Sequence, residues 1–259
     1  MKIVVCIKQV PGTNEVRLDP VTNTIIRDSR QSVINPFDSY AIEAAVQIKE
    51  SLGGEVISLS MGIPSTERLL LDAVSRGADG GMLLSDRAFA GADTLATSYT
   101  LAKGVEKIGG VDLILCGKMA VDGDTAQIGP ELAEHLGISH VTDVADFIEV
   151  NERFVIVKKL VEEGYQILKV ALPALICVVK DINTPRMPSI SGIRHSLNTK
   201  ITILGAKELG ADTGKIGLSG SPTQVVKTYT PERRGNAAEL EGSPREKAAA
   251  ILAIVKEVR

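Results

Sequence analysis

Short apolar runs alternate with helical stripes through residues 1–137, and this alternation restricts the chain to a sheet whose strands are joined by helical crossovers. Ile3–Ile7, Glu55–Ser60, Gly81–Ser85 and Val111–Cys116 read as strands. Asn35-Pro36-Phe37-Asp38 opens a helix with Ala41, Ile42, Ala45, Val46 and Lys49 on one stripe, ended by Gly53-Gly54. A second helix runs from about Pro64 to Arg76 and is closed by Gly77. A third is capped by Asp93 or Thr94 and turns Leu101, Ala102, Val105 and Ile108 inward. A fourth spans residues 124–136, with Ile128, Leu132 and Leu136 on one face and Gly137 as its stop. Residues 11–34 read as a long polar loop with turn signals at Asn14, Asp19-Pro20 and Asn23.

The pattern changes after residue 140. Val144–Val150, Phe154–Leu160 and Gln166–Leu172 read as consecutive strands, and the apolar run Ala174–Val179 as a further central strand. Residues 181–200 carry Pro185, Arg186, Pro188, Gly192, Arg194, His195 and Lys200 around an isolated Ile190. They read as a plain surface loop or as a protruding recognition loop anchored by Ile190. Residues 205–243 read as an extended arm, and Ser243-Pro244 starts a terminal helix striped by Ala248, Ile251, Leu252, Val255 and Val258.

The chemistry concentrates at residues 116–130, a polar, glycine-bearing turn between a strand end and a helix start. Ligands of open α/β sheets bind at such turns. Free N–H groups of a helix's first turn hold anions. Gly117 and Gly123 let backbone approach a ligand, and Asp122, Asp124, Thr125 and Gln127 offer contacts to a sugar or base. The same residues serve equally as turn formers and helix cap. The stretch is neither a Walker loop nor a dinucleotide fingerprint.

A net charge of −3 argues against nucleic acid as a general partner. No apolar run approaches a membrane span, no signal peptide pattern opens the sequence, and a cytoplasmic protein is expected. Aromatic residues make up only 3% of the chain, so aliphatic side chains and alanine must fill the core. Cys6, Cys116 and Cys177, far apart in apolar runs, read as buried reduced thiols, and His135, His140 and His195 have no ligand spacing. No metal site is expected.

Read in order, the chain resembles the β subunit of electron transfer flavoproteins. The resemblance rests on VVCIKQVP at 4–11, NPFDSYAIEAA at 35–45, SMG at 60–62, RGAD at 76–79 and DTLATSYTLA at 93–102. It continues with CGKMAVDGDTAQIGPELA at 116–133, LPALICVVKDINTPRMPSI at 172–190 and GLSGSPTQVVK at 217–227. The resemblance implies a doubly wound, mostly parallel α/β sheet with an antiparallel strand addition and a C-terminal arm. Residues 1–204 are then the nucleotide-binding domain, including the recognition loop at 181–200, and residues 205–259 the arm and helix that contact the α subunit.

The α subunit of such a heterodimer carries one FAD on a mobile domain. The β subunit holds either structural AMP, in a plain electron carrier, or a second FAD. In that second class the FAD takes a hydride from NADH and divides the electron pair. One electron reaches the α-subunit FAD and a partner such as an acyl-CoA dehydrogenase, and the other reaches ferredoxin or flavodoxin. This chain has VDGDTAQIGP at 121–130, where AMP-binding relatives carry a more acidic DDDxNQTG pattern, and Gly123 leaves room for a flavin. FAD and bifurcation are the expectation, AMP the alternative. Carried over by motif, Cys6 and Lys8 lie over the adenosine, Asn35, Phe37 and Asp38 border adenine or ribose, and Met61 ends a strand against the pocket. Asp93, Thr94 and Thr97 approach the flavin. Gly117, Lys118 and the run Ala120, Val121, Asp122, Gly123, Asp124, Thr125, Ala126, Gln127 and Ile128 wrap ribose and phosphates, with the N–H groups of residues 125–127 as phosphate donors. Ile190, with Pro188 and Arg186, meets the redox partner.

Overall fold

A computed structural model describes residues 1–12, 32–227 and 239–257. Met1–Val225 forms one compact unit and Val226–Arg259 a second.

The first unit begins with β1 (Lys2–Cys6), followed by β2 (Gln9–Pro11), β3 (Ser32–Ile34), α1 (Pro36–Leu52), β4 (Glu55–Met61), α2 (Glu67–Ser75) and β5 (Gly80–Leu84). The chain continues through α3 (Thr94–Ile108), β6 (Leu113–Gly117), α4 (Ile128–Leu136), β7 (Ser139–Val150), β8 (Phe154–Val161) and β9 (Gly164–Ala171). It ends with β10 (Ala174–Val178), α5 (Ile190–Asn198), β11 (Thr202–Leu204) and α6 (Ala206–Leu209). The large sheet has the order β11-β5-β4-β1-β6-β10-β7-β8-β9. Every pairing from β11 to β7 is parallel, and β7-β8-β9 is antiparallel.

The central strands β1, β6 and β10 are near-continuous apolar runs because helices cover both faces, and β4 adds only the buried Ser58 and Ser60 to its apolar residues within the core. Ile3 and Val5 of β1 pack with α1 and α2, while Val4 and Cys6 pack with α3 and α4. The sheet is therefore doubly wound, as expected. From β1 the chain moves to β4 and β5 on one side, and α3 carries it back past β1 to β6 on the other. This reversal opens a crevice at the C-terminal ends of β1 and β6, the ligand position of such sheets.

The β8 strand alternates, with Val155 and Val157 buried and Lys158 turned out. On this outer edge Lys158 and Lys169 stack over the rings of Tyr165 and Phe154 at 4.1 and 3.7 Å. Charge on an edge strand discourages further strand pairing.

Four expectations need correction. Residues 9–11 and 32–34, the ends of the expected 11–34 loop, pair as an antiparallel β2-β3 ribbon. The turn signals at 14, 19–20 and 23 lie outside the described residues. The segment 181–200 is not all loop: Ser189 caps α5 by accepting a hydrogen bond from the Gly192 N–H at 2.9 Å. The fourth helix begins at Ile128 rather than at 124, with Gln127 at its N-cap and no side-chain cap bond. Residues 205–225, expected in the arm, fall within the first unit, where Leu209 and Ile216 are buried beside α3 residues. The arm beyond Lys227 reaches residues that are not described, and Val258 is among these.

In the second unit, α7 (Pro244–Glu257) has no buried residue, and Glu246 accepts from the N–H and hydroxyl of Ser243, both at 2.7 Å. No helix among the described residues is long and apolar enough to cross a membrane.

Candidate nucleotide site

The loop between β6 and α4 lies at the crevice, and residues 121–127 are all exposed. Two of its non-glycine residues, Asp124 (φ 51°) and Ala126 (φ 54°), are in the left-handed region. An L-residue there costs about 1–2 kcal/mol, so the loop holds a defined rather than a relaxed shape. Its early N–H groups are used internally: those of Gly123 and Asp124 donate to the Ala120 carbonyl at 3.2 and 2.8 Å. The N–H groups of Thr125, Ala126, Gln127 and Ile128 have no acceptor among the described residues. Left-handed turns that aim successive N–H groups outward form anion-binding concavities, and a helix N-terminus adds to the field. The expected donors at 125–127 are thus free, although they precede the helix instead of opening it.

A buried bracket holds the loop. The Asn35 side-chain amide donates to the Met119 carbonyl and to Asp38 Oδ1, both at 2.9 Å, and its Oδ1 accepts from the Val121 N–H at 3.1 Å. Asp38 also accepts from the Lys8 N–H at 2.8 Å and from the Gly117 N–H. Asn35 and Asp38 are buried, and their polar atoms tie β1, α1 and the loop together. Phe37 is half-buried beside them.

Gly117 serves the same bracket. A Cβ there would lie 2.6 Å from Phe37 Cβ and 2.7 Å from the Phe37 carbonyl carbon, so the glycine lets α1 approach β6. Gly129 is similar, since a Cβ would strike Cys177 Sγ. Gly123 differs from both. A Cβ there meets only Lys8 Nζ, at 3.8 Å, and its φ is not left-handed. Nothing in the described fold requires that glycine.

The remaining predicted residues divide by position. Lys8 Nζ pairs with Asp122 at 2.6 Å and closes the loop over the end of β1. Lys118 turns to Asp143 of β7, at 2.8 Å. Met61 ends β4, partly buried against the α3–α4 layer. Cys6 is buried in that layer with Cys116 and Cys177, on neighbouring strands. All three thiols are free, and the hydrogen bonds of the Cys116 thiol to Cys177 and Cys6, together with burial, push it well up.

Asp93 caps α3 by accepting from the Ala96 N–H at 3.1 Å. It also accepts from the Thr223 N–H and hydroxyl at 3.1 and 2.9 Å. Burial opposes its charge, but these donors hold its carboxyl below the usual range. The Thr94 hydroxyl donates to Glu131 Oε1 at 3.0 Å and lies 3.3 Å from Gln127 Oε1, so the first turns of α3 and α4 are joined. Thr97 sits half-buried one turn on.

Sequence reasoning missed Glu131, Ser221 and Thr223. Ser98 Oγ donates to Glu131 Oε2 at 3.2 Å, and Ser221 Oγ accepts from the Asp93 N–H at 2.8 Å. These pairs join residues 33 and 128 positions apart, and no local pattern marks them.

Asp38 makes the bracket pH-sensitive. Burial raises its carboxyl from 3.8 to about 7 against the N–H donors that favour its charge. The native state therefore binds a proton that the unfolded chain has released between those values. The corresponding stability is full below the unfolded value and is lost as pH rises through about 7. The urea midpoint of wild type is expected to fall from about pH 5 to about pH 8 relative to Asp38→Asn. Parallel profiles would assign the slope to other groups.

A doubly wound sheet with a braced loop at its switch point defines an open α/β domain of the kind that binds ligands at that point. Residues 22–210 match the electron transfer flavoprotein domain family. The chain is 50% identical over 238 residues to the electron transfer flavoprotein subunit beta of Thermoanaerobacterium thermosaccharolyticum, covering 91% of each chain. It is 44% identical to the caffeyl-CoA reductase-Etf complex subunit CarD of Acetobacterium woodii, over 99% of this chain and 98% of that one. It is 43% identical to Protein FixA of Azorhizobium caulinodans, over 93% of this chain and 88% of that one. The chain belongs to the electron transfer flavoprotein family, among its β subunits, with an electron-transfer role. Subunits of this type pair with an α subunit, and the family is flavin-associated.

Proposed function

We propose that this β subunit holds FAD at the β6–α4 loop and belongs to an NADH-oxidising, electron-bifurcating heterodimer. The observation that carries the reading is Gly123, a glycine that neither its backbone angle nor its packing explains. Space kept open at an exposed ligand loop is space for a ligand. When bound, the flavin supplies hydride acceptance and one-electron transfer; the protein supplies position and electrostatics. The N–H groups of Thr125 to Ile128 hold phosphate, and the hydroxyls of Thr94 and Thr97 line the side toward α3. Lys8 and Asp122 close the loop over the ribose, and Asn35 and Asp38 keep it in place. Residues 205–259 serve contact with the α subunit.

The apolar residues exposed around α5 fit the redox partner. Met187, Ile190 and Leu197 are 82%, 83% and 81% exposed. The name of the relative CarD places that protein in a complex with a CoA-ester reductase. A flavoenzyme of the acyl-CoA dehydrogenase class is accordingly the partner proposed here, with ferredoxin or flavodoxin as the second acceptor and the cytoplasm as the compartment.

The test is made on the co-purified heterodimer. Denaturation is expected to release two FAD and no AMP, and NADH is expected to bleach the intact protein. One FAD with one AMP and no response to NADH would replace this reading with a plain electron carrier.

A further inference from the structure

The segment that leads into α5 is tied to α1 through one side chain. Arg186 Nε and Nη2 donate to the two oxygens of Glu43 at 2.8 and 3.0 Å. Its Nη1 and Nη2 donate to the two oxygens of Glu50, the latter at 2.9 Å. The Arg186 backbone N–H adds a bond to Glu43 Oε2 at 3.1 Å. Four guanidinium N–H groups of five are thus spent within the chain. Glu43 is only 4% exposed, so its charge depends on this partner. Burial opposes that charge, and Arg186 holds the Glu43 carboxyl below its ordinary range.

Lesser ties act beside it. Asn183 donates to the Tyr40 carbonyl at 3.0 Å, and the Tyr40 hydroxyl to Asp181 at 3.1 Å. On the other flank α5 lies so close to the end of α2 that a Cβ at Gly192 would strike the Ser75 carbonyl oxygen. Buried Ser196, one turn after Gly192, continues that packed face. The opposite side carries Ile190, Ile193 and Leu197, three and seven residues apart and exposed.

We propose that Arg186 is a positioning residue, a latch that fixes residues 181–198 on α1 so that Met187, Ile190 and Leu197 meet the partner flavoenzyme in one preset arrangement. It acts through the segment and not by touching the partner, because four of its five guanidinium donors are already engaged. Presetting the surface spares the ordering cost that a loose segment would meet on docking. The proposal rests on the reading of α5 as the partner surface.

The experiment uses the intact heterodimer as wild type, Arg186→Lys and Ile190→Asp, with the acyl-CoA dehydrogenase on which wild type saturates. A lysine ammonium cannot span two carboxylates as the guanidinium fork does. Arg186→Lys is expected to speed amide exchange across 181–198 by about tenfold, with exchange at 117–128 unchanged. It is expected to raise KM for the heterodimer by about tenfold while kcat stays within about twofold. Ile190→Asp is expected to raise KM with wild-type exchange. Should Arg186→Lys fold poorly, Glu50→Gln, which leaves no buried charge unpaired, is expected to move exchange and KM the same way by about threefold. Wild-type exchange or a wild-type KM in the latch variants, beside a raised KM in Ile190→Asp, would overturn the latch alone. A wild-type KM in Ile190→Asp would overturn the partner reading and the latch role with it.

Discussion

Gly123→Leu is expected to empty the β-subunit site without unfolding the protein. The two halves of that outcome have separate causes. The fold tolerates the change because the first atom added meets only a lysine ammonium 3.8 Å away, at the far end of a flexible chain. Exposed substitutions of this kind stay within about 0.5 kcal/mol. On the proposed reading the site does not tolerate it, because a leucine on the loop would take the volume that a flavin ring system needs. Overpacking costs about 1–3 kcal/mol where neighbours can shift, which is about tenfold to a hundredfold in affinity. FAD per heterodimer is expected to fall from two toward one, with the α-subunit flavin retained and NADH bleaching lost. Two retained FAD would mean that the glycine is unrelated to the flavin.

The sheet was legible in the sequence because its code is local. Central parallel strands such as Val111–Cys116 are continuous apolar runs, and the helices between them carry stripes and glycine stops. The α4 start was misread because Asp124 and Thr125 look like an N-cap, whereas the left-handed residues Asp124 and Ala126 delay the helix to Ile128. Helix α5 was hidden because its segment is punctuated by Pro185, Pro188 and Gly192. Its glycine is a packing device against α2, which only the fold can show. The candidate loop stands out in the sequence by its glycines, yet the two glycines do different things. Gly117 faces α1 and Gly123 faces nearly open space, a distinction made by residues 79 or more positions away in sequence for the first and by the lack of any neighbour but the tip of Lys8 for the second. Asn35 and Asp38 are expected from the sequence to border the nucleotide, and the fold adds a role that no local pattern marks: buried, they brace the loop through hydrogen bonds to residues far along the chain.

Gly117→Ala is the converse case, a change that leaves the ligand space alone and damages the fold that frames it. The added Cβ would sit within 2.7 Å of the backbone of Phe37 and also against Asp38 Oδ1. Backbone cannot rotate away, so the N-terminal turn of α1 must back off from β6. That movement pulls on Asp38, which holds the N–H groups of Lys8 and Gly117, and on Asn35, which holds the Met119 carbonyl and the Val121 N–H. Overpacking contributes about 1–3 kcal/mol, and each buried group left unsatisfied adds about 1–3 kcal/mol. A total of about 3 kcal/mol corresponds to a Tm lower by about 6–12 °C for a chain of this size. On the proposed reading the nucleotide is expected to be lost as well, since the loop is no longer braced, so scanning calorimetry and cofactor counts are expected to move together in Gly117→Ala and apart in Gly123→Leu. A Gly117→Ala protein that melts like wild type would show that α1 and β6 are not locked at this contact, and the bracket would lose its role in shaping the site.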